Sequence, residues 1–395
     1  MRHILVLNAG SSSVKFAFYV AEGDALRLGF FGFNDALGTA PRFSARDANG
    51  TLIGEETWPA GARLGHKGAI EHLLAFVETH TAGAPLAAVG HRVVHGGTEF
   101  DHPARVDAGL LDRLEALVPL APLHQPHNLA AIRVLRDRAP ELPQVACFDT
   151  SFHRTQPPEA ATFALPAELR EKGIQRYGFH GLSYEFIAGR LREIDTRAAE
   201  GRTVVAHLGA GASLCAMRAG RSIATTMGFT ALDGIPMATR SGALDPGVIL
   251  HLLRAEGRSL DEVEEILYHR SGLLGLSGLS GDMRVIEASD DPRARFAMEV
   301  FAYRIGREIG SLAAALGGLD ALVFTAGIGE NSARVRAMVA RHVEWLGLSL
   351  DADANAKSGP CISTRASKVS AWVVPTDEAL VIARHTARVA DTLAT

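Results

Sequence analysis

Cysteine is scarce in this 395-residue chain: Cys147, Cys215 and Cys361 are the only three. So few, so scattered, cannot build a disulfide framework or a zinc knuckle, and they point to a reducing, cytoplasmic compartment. Charge of one sign is also lacking. Forty Lys and Arg stand against 44 Asp and Glu, a net charge of -4. That balance excludes the electrostatic footprint of a DNA or RNA binder. No apolar run approaches the roughly 20 residues a membrane helix needs. The apolar start, Met1 to Leu7, is broken at once by Asn8-Ala9-Gly10-Ser11-Ser12-Ser13, so it reads as a strand entering a loop rather than a signal peptide. Low-complexity tracts and short-period repeats are absent. At roughly 100–200 residues per domain, the length implies two or three packed units.

What is present is an alternation of helical and strand patterns, the mark of the α/β class. Spacing of i, i+3, i+4, i+7 predicts helices over Ile70 to Thr79 and Leu129 to Arg138. Ser259 and Glu262 form a capping box, opening a helix expected to end at Gly272. Pro292 and Gly317-Gly318 bracket the longest helix, and a last one starts near Glu378. Three apolar strands run into glycine-rich loops. Ile4 to Leu7 leads to the Gly10–Ser13 loop, and then Val14 to Val20 alternates with period two. Val204 to Leu208 leads to Gly209-Ala210-Gly211-Ala212-Ser213 and a second alternating strand. Leu322 to Thr325 leads to a Gly327–Ser332 loop, with a helix after it. The first two copies look like corresponding hairpins of two related halves. A boundary is expected near residue 150, after the strand Val145 to Asp149 and before Pro157-Pro158.

Glycine loops after strands let backbone N–H groups approach an anion, so three of them favour a phosphate or nucleotide site. The Walker A pattern is missing, and Gly327 to Ser332 reads GxGxxS, an incomplete dinucleotide fingerprint. Lys15, just past the first loop, is either an exposed strand lysine or a point charge for a terminal phosphate. Arg92 sits among valines in Gly90 to Gly97, where burial demands an anionic partner; a structural ion pair is the plain alternative. Arg240 lies in a loop of small residues. Two such arginines can grip a planar anion and a phosphoryl group. Asp149 closes a strand, where α/β proteins place catalytic or metal-binding groups, or merely cap the next turn. His180 lies in a glycine-flanked aromatic loop, one of 16 histidines, and His91 and His95 lack metal-ligand spacing. Glu378 either favours a helix dipole or offers an oxygen to Mg²⁺.

Assembled, these segments resemble the acetate kinase (acetokinase) family of the acetate and sugar kinase/Hsp70/actin superfamily. The resemblance is carried by Leu7 to Lys15, His207 to Ser213, the Arg92 segment, Ala121-Pro122-Leu123-His124, Phe148-Asp149-Thr150, Arg176 to Gly181, Thr239 to Gly242 and Phe324 to Ser332, in the family's order. It implies two actin-like, RNase H-like domains, each a mixed sheet flanked by helices, with an active-site cleft between them. They would be residues 1–150 and the nucleotide-binding 151–378, with a helix 379–395 returning to the first. By the same resemblance Ser13, Lys15, His207, Leu208, Gly209, Ala210, Gly211, Asp282, Met283, Arg284, Gly327, Ile328, Gly329, Glu330 and Asn331 contact ATP or ADP. Arg92 binds the acetate carboxylate, and Val94, Leu123 and Phe179 receive its methyl group. His180 and Arg240 stabilise the transition state, Asp149 is the catalytic acid, and Asn8 and Glu378 hold Mg²⁺, or Mn²⁺ in its place. A homodimer is implied, with no nucleic-acid or membrane partner.

The sequence departs from the family pattern at Ala210, Ala231, Ala238 and Ala243. Ala231 makes the acyl wall roomier. Acetate is already ionised at pH 7, so no base is needed to activate it, and holding Mg²⁺ through water suits Asp149 better than acid–base work. The alternatives are a propionate kinase, mildly opposed by Val94, and more remotely an ATP-binding actin-fold protein with no acyl acceptor.

Overall fold

The computed structural model describes residues 2–23 and 25–391. The chain forms two compact units, Met1–Ser151 with Asp377–Thr395, and Phe152–Thr376.

The first unit is built on an eight-stranded mixed sheet. Its strands are β1 (Arg2–Ala9), β2 (Val14–Glu22), β3 (Ala25–Asp35), β4 (Arg42–Asp47), β5 (Leu52–Thr57), β6 (Leu86–Val93), β7 (Ala104–Arg105) and β8 (Gln144–Phe148). They lie in the order β5-β4-β3-β2-β1-β6-β8-β7. β1 pairs antiparallel with β2, with Asn8 opposite Lys15, and parallel with β6 on its other side. The expected first hairpin is therefore present. Leu5, Leu7, Phe16, Phe18 and Phe30 fill a core against Ile70, Leu73 and Val77 of the helix Gly65–His80. That is the apolar stripe read from the sequence, on a helix one turn longer at its start. The final helix, Glu378–Asp391, lies against β1, β6 and β8; the last four residues of the helix expected there lie outside the described residues. Gly90 permits this approach. A Cβ there would stand 2.2 Å from Thr386 Oγ1 and 2.6 Å from Ile382 Cγ2.

The second unit carries a five-stranded mixed sheet of β9 (Arg202–Leu208), β10 (Ala212–Arg218), β11 (Arg221–Thr225), β12 (Ala321–Thr325) and β13 (Ser370–Val373), ordered β11-β10-β9-β12-β13. β9 pairs antiparallel with β10 and parallel with β12. This repeats the β3-β2-β1-β6-β8 arrangement of the first unit, so the two hairpins are corresponding elements. The helix Pro292–Leu316 buries one face beneath the sheet and ends at Gly317. The Ser259–Glu262 capping box is formed, with both reciprocal bonds.

Two local expectations need correction. The capped helix ends at His269, not Gly272, which opens a further helix, Gly272–Ser277, at φ +59°. A side chain there would meet the Met237 carbonyl, so glycine is required by close approach rather than by helix termination. The expected Gly327–Ser332 loop is itself a helix, Ala326–Asn331, followed by a second helix, Ala333–Val343. The Glu330 carboxylate accepts from the Ala326 N–H at 2.8 Å, which holds the short helix at its start.

Candidate active site

Arg92 and Asp149 come together in the first unit. Parallel pairing of β6 and β8 sets Arg92 opposite Cys147. Asp149 follows the end of β8, anchored by its N–H to the Val93 carbonyl at 3.1 Å. The Arg92 Nε lies 3.0 Å from Asp149 Oδ1, and Nη2 lies 2.5 Å from Oδ2. Glu378 adds its carboxylate 3.8 Å from Nε. Burial alone would push the arginine down, but Asp149 and then Glu378 override it and hold the guanidinium above its ordinary range. Asp149 is fully buried, while Arg92 keeps 23% of its side chain exposed. The ion pair named as the plain alternative is thus formed.

Asn8, Lys15 and Glu378 line one cavity of about 140 Å³ beside β1, β2 and the start of the final helix. Tyr19 and Asp377 tie that helix to β2; burial first, then the neighbouring carboxylate, raises the Tyr19 phenol above its ordinary value. Val94 is buried in this unit, where Asn128 Oδ1 accepts from its N–H at 2.9 Å, and Leu123 is half-buried in a turn. Ser13 is half-buried in the first loop, where its carbonyl accepts from the Gly10 N–H at 2.8 Å.

In the second unit the loop between β9 and β10 is surrounded by polar side chains. A Cβ on Gly211 would lie 3.3 Å from both Arg240 Nη2 and His180 Nε2. His180 adopts φ +61° at the start of the helix Gly181–Ile194, an unusual conformation for a residue with a side chain. Its ring stacks on His207 at 4.2 Å between centroids. Its Nδ1 is 2.8 Å from Ser213 Oγ, and His207 Nδ1 is 2.9 Å from Ser183 Oγ. Arg240 donates through Nη1 to the Ala231 carbonyl at 2.7 Å, so the position where the family pattern differs supplies a backbone acceptor. Phe179, beside His180, is buried in this unit; its carbonyl is held at 2.9 Å by His153.

Behind that loop opens a cavity of about 780 Å³. Of the expected nucleotide contacts, Gly209, Ala210, Asp282, Met283, Arg284, Gly327, Ile328 and Asn331 line it. Leu208 is buried in β9, and Gly329 lies on the inner side of the short helix. Asp282 starts the helix Met283–Glu287 and is clamped by Arg284, whose hydrogen bonds hold its carboxyl below the ordinary value. The Ala238 N–H donates to the Ala210 carbonyl at 3.0 Å, so the two alanine departures close one rim through their backbones.

Sequence reasoning missed Arg336. It is completely buried and donates to the Gly329 and Glu330 carbonyls, both at 2.9 Å, and to Asn355 Oδ1 and the Asn355 carbonyl, both at 2.7 Å. It thereby holds the last carbonyls of the helix that walls the cavity. Burial pushes its guanidinium down, with Glu287 opposing. Its place after Ser332 was visible, but its partner Asn355 lies 19 residues away, beyond any local pattern.

An acetate kinase of Rhodopseudomonas palustris is 55% identical over 393 residues, 98% of each chain. One from Rhizobium meliloti is 50% identical over 386 residues, again 98% of each. A crystal structure of a Francisella tularensis propionate kinase covers 98% of this chain and 100% of its own, with a TM-score of 0.91 at 36% identity. That of a Porphyromonas gingivalis acetate kinase has the same coverage, a TM-score of 0.88 and 35% identity. The paired mixed sheets are those of the actin-like fold. The model of the acetokinase family matches residues 3–384, and the chain belongs to that family.

Proposed function

We propose that this chain transfers the γ-phosphoryl group of ATP reversibly to acetate, giving acetyl phosphate and ADP. The observation that carries the reading is the convergence of His180 and Arg240 on Gly211, in the loop whose Gly209 and Ala210 line the cavity together with Asp282 to Arg284, Gly327, Ile328 and Asn331. Phosphoryl transfer needs positioning and charge stabilisation more than covalent help. Backbone N–H groups and two cationic or polar side chains supply both. An acetate oxygen attacks the γ-phosphorus in line as the bond to the bridging oxygen of ADP breaks, so no proton has to move.

Arg92, whose side chain stays partly exposed, binds the acetate carboxylate. Asp149 is better described as its positioning residue than as an acid, because both its oxygens grip the guanidinium. Val94, Leu123 and Phe179 remain the apolar candidates for the methyl group. Asn8 and Glu378 share one cavity with Lys15, and their oxygens are of the hard kind that suits Mg²⁺. Those residues would hold the ion, which when bound neutralises phosphate charge. Location in the cytoplasm is supported by three free cysteines. A homodimer is supported by family membership. Among the described residues no helix is long and apolar enough to cross a membrane.

Propionate kinase is the less favoured reading, because the relatives at 50–55% identity over the full chain are acetate kinases. ADP formation with ATP, Mg²⁺ and, in parallel, acetate, propionate, butyrate, glycerol or no acceptor tests the proposal. Acetate should dominate, with propionate poorer by about tenfold, the worth of one methylene in an apolar pocket. Equal, slow turnover with every acceptor and with none would sink it.

A further inference from the structure

We infer that Tyr184 and Ser213 form a two-hydroxyl relay that fixes the tautomer of His180, so that its Nε2–H is the donor offered to the transferring phosphoryl group. The inference rests on the phosphoryl transfer proposed above and deepens it. Both hydroxyl residues are completely buried. Tyr184 Oη lies 2.5 Å from Ser213 Oγ, and Ser213 Oγ lies 2.8 Å from His180 Nδ1. Burial, with the Cys215 thiol adding to it, raises the Tyr184 phenol well above its ordinary value, so it keeps its proton.

Hydrogen accounting then leaves one satisfied arrangement. A hydroxyl gives one proton and accepts through its lone pairs, and a neutral imidazole has one donor and one acceptor nitrogen. Tyr184 donates to Ser213, Ser213 donates to His180 Nδ1, and the His180 proton resides on Nε2. Suppose instead that Nδ1 carried the proton and donated to Ser213. Either the serine proton or the tyrosine proton would then be left buried without an acceptor, which is costly. The imidazolium form meets the same difficulty. The His207 ring stacks on His180, and His180 Nε2 lies on the Gly211 side of the ring, 3.3 Å from where a Cβ on that glycine would stand.

The left-handed backbone of His180 gives the relay a second task. A side chain held at φ +61° persists only where its surroundings dictate it. Ser213 on β10 holds the ring at Nδ1, and Tyr184, one turn into the following helix, holds that serine. Neither hydroxyl need touch substrate; both are positioning residues acting through His180.

The test is the tautomer itself. Full-length protein carrying ¹⁵N-histidine is examined by long-range ¹H–¹⁵N correlation, with His180→Gln identifying the His180 signals. Wild type should show the neutral Nε2–H form. Ser213→Ala and Tyr184→Phe should each move His180 toward a mixture containing Nδ1–H. In the same variants kcat should fall about tenfold, part of the effect of losing one transition-state donor, with KM for ATP and acetate changed less than about twofold. An Nδ1–H form in wild type would overturn the relay, as would an Nε2–H form that persists in both variants. Thermal melts of the variants separate either result from loss of fold, and two independent substitutions guard against one failing to fold. Absence of acetate phosphorylation by wild type would sink the proposed reaction and leave the tautomer result standing.

Discussion

The two hairpins of this molecule share a topology and differ in what surrounds their loops. Both place a strand antiparallel to one neighbour and parallel to the next. Beside β1 and β2 the chemistry is one of matched opposite charges: Arg92 against Asp149 and Glu378, with Lys15 nearby. Beside β9 and β10 it is one of donors set by neutral oxygens, His180 by a serine hydroxyl and Arg240 by a carbonyl. A guanidinium pinned by carboxylates suits recognition of a small anion with a fixed geometry. A neutral imidazole N–H and a guanidinium can each donate to a phosphate oxygen. On the proposed function, one scaffold used twice divides the labour between acceptor and nucleotide.

The largest effect should come from beside the second hairpin. Arg240→Ala should lower kcat by about a thousandfold, the loss expected for a group aimed at transition-state charge, with KM for ATP little altered. A rise in KM alone, in steady-state kinetics, would remove Arg240 from that role. In the first unit, Asp149→Ala leaves a partly buried guanidinium short of its main partner. Chemical denaturation should show a loss of about 3–5 kcal/mol, the usual result of breaking such a pair. An unchanged midpoint would mean that Glu378 alone suffices.

Arg336→Met separates the nucleotide wall from the catalytic donors. It strands the carbonyls of Gly329 and Glu330. Stability should drop by about 2–3 kcal/mol and KM for ATP should rise, while KM for acetate stays put. Equal changes in both constants would show that the wall is not specific to the nucleotide.

Smaller still, per group, is a pH effect shared by both units. Burial lowers His91, His95 and His153 to about 4 each. Unfolded histidine titrates near 6.5, so between pH 6.5 and 4 the unfolded chain binds more protons and stability rises with pH. Stability should therefore be full above pH 6.5 and fall on acidification, by about 2 kcal/mol per histidine at pH 5. Urea midpoints at pH 7 and pH 5 check this; equal midpoints would mean that these rings are not buried in the neutral form.

Local signals were legible in the sequence. The two hairpins, the Ser259–Glu262 box and the Pro292–Leu316 helix are each written within a short window, by alternation, capping or breakers. The Ala326–Asn331 helix was not, because its glycines read as a loop. What makes it helical is non-local: Glu330 at its start and the buried Arg336 on its last carbonyls. β3, β4 and β5 were missed for a similar reason. β3 buries only Phe30 and Asn34, and it becomes a strand by pairing with β2 and β4. Arg92 and Asp149 stand 57 residues apart, and Glu378 is farther still, so spacing could nominate each but not join them. Family resemblance supplied the candidates; parallel pairing of β6 with β8, and the final helix packed over Gly90, explain why they meet.

The most direct test of this division of labour is Arg92→Ala, with ADP affinity measured by calorimetry and KM for acetate measured by turnover. The account predicts that KM for acetate rises at least about tenfold, as for a lost charge-assisted contact, while the ADP dissociation constant changes less than about twofold. Loss of ADP binding with an unchanged KM for acetate would contradict it and place Arg92 on the nucleotide side.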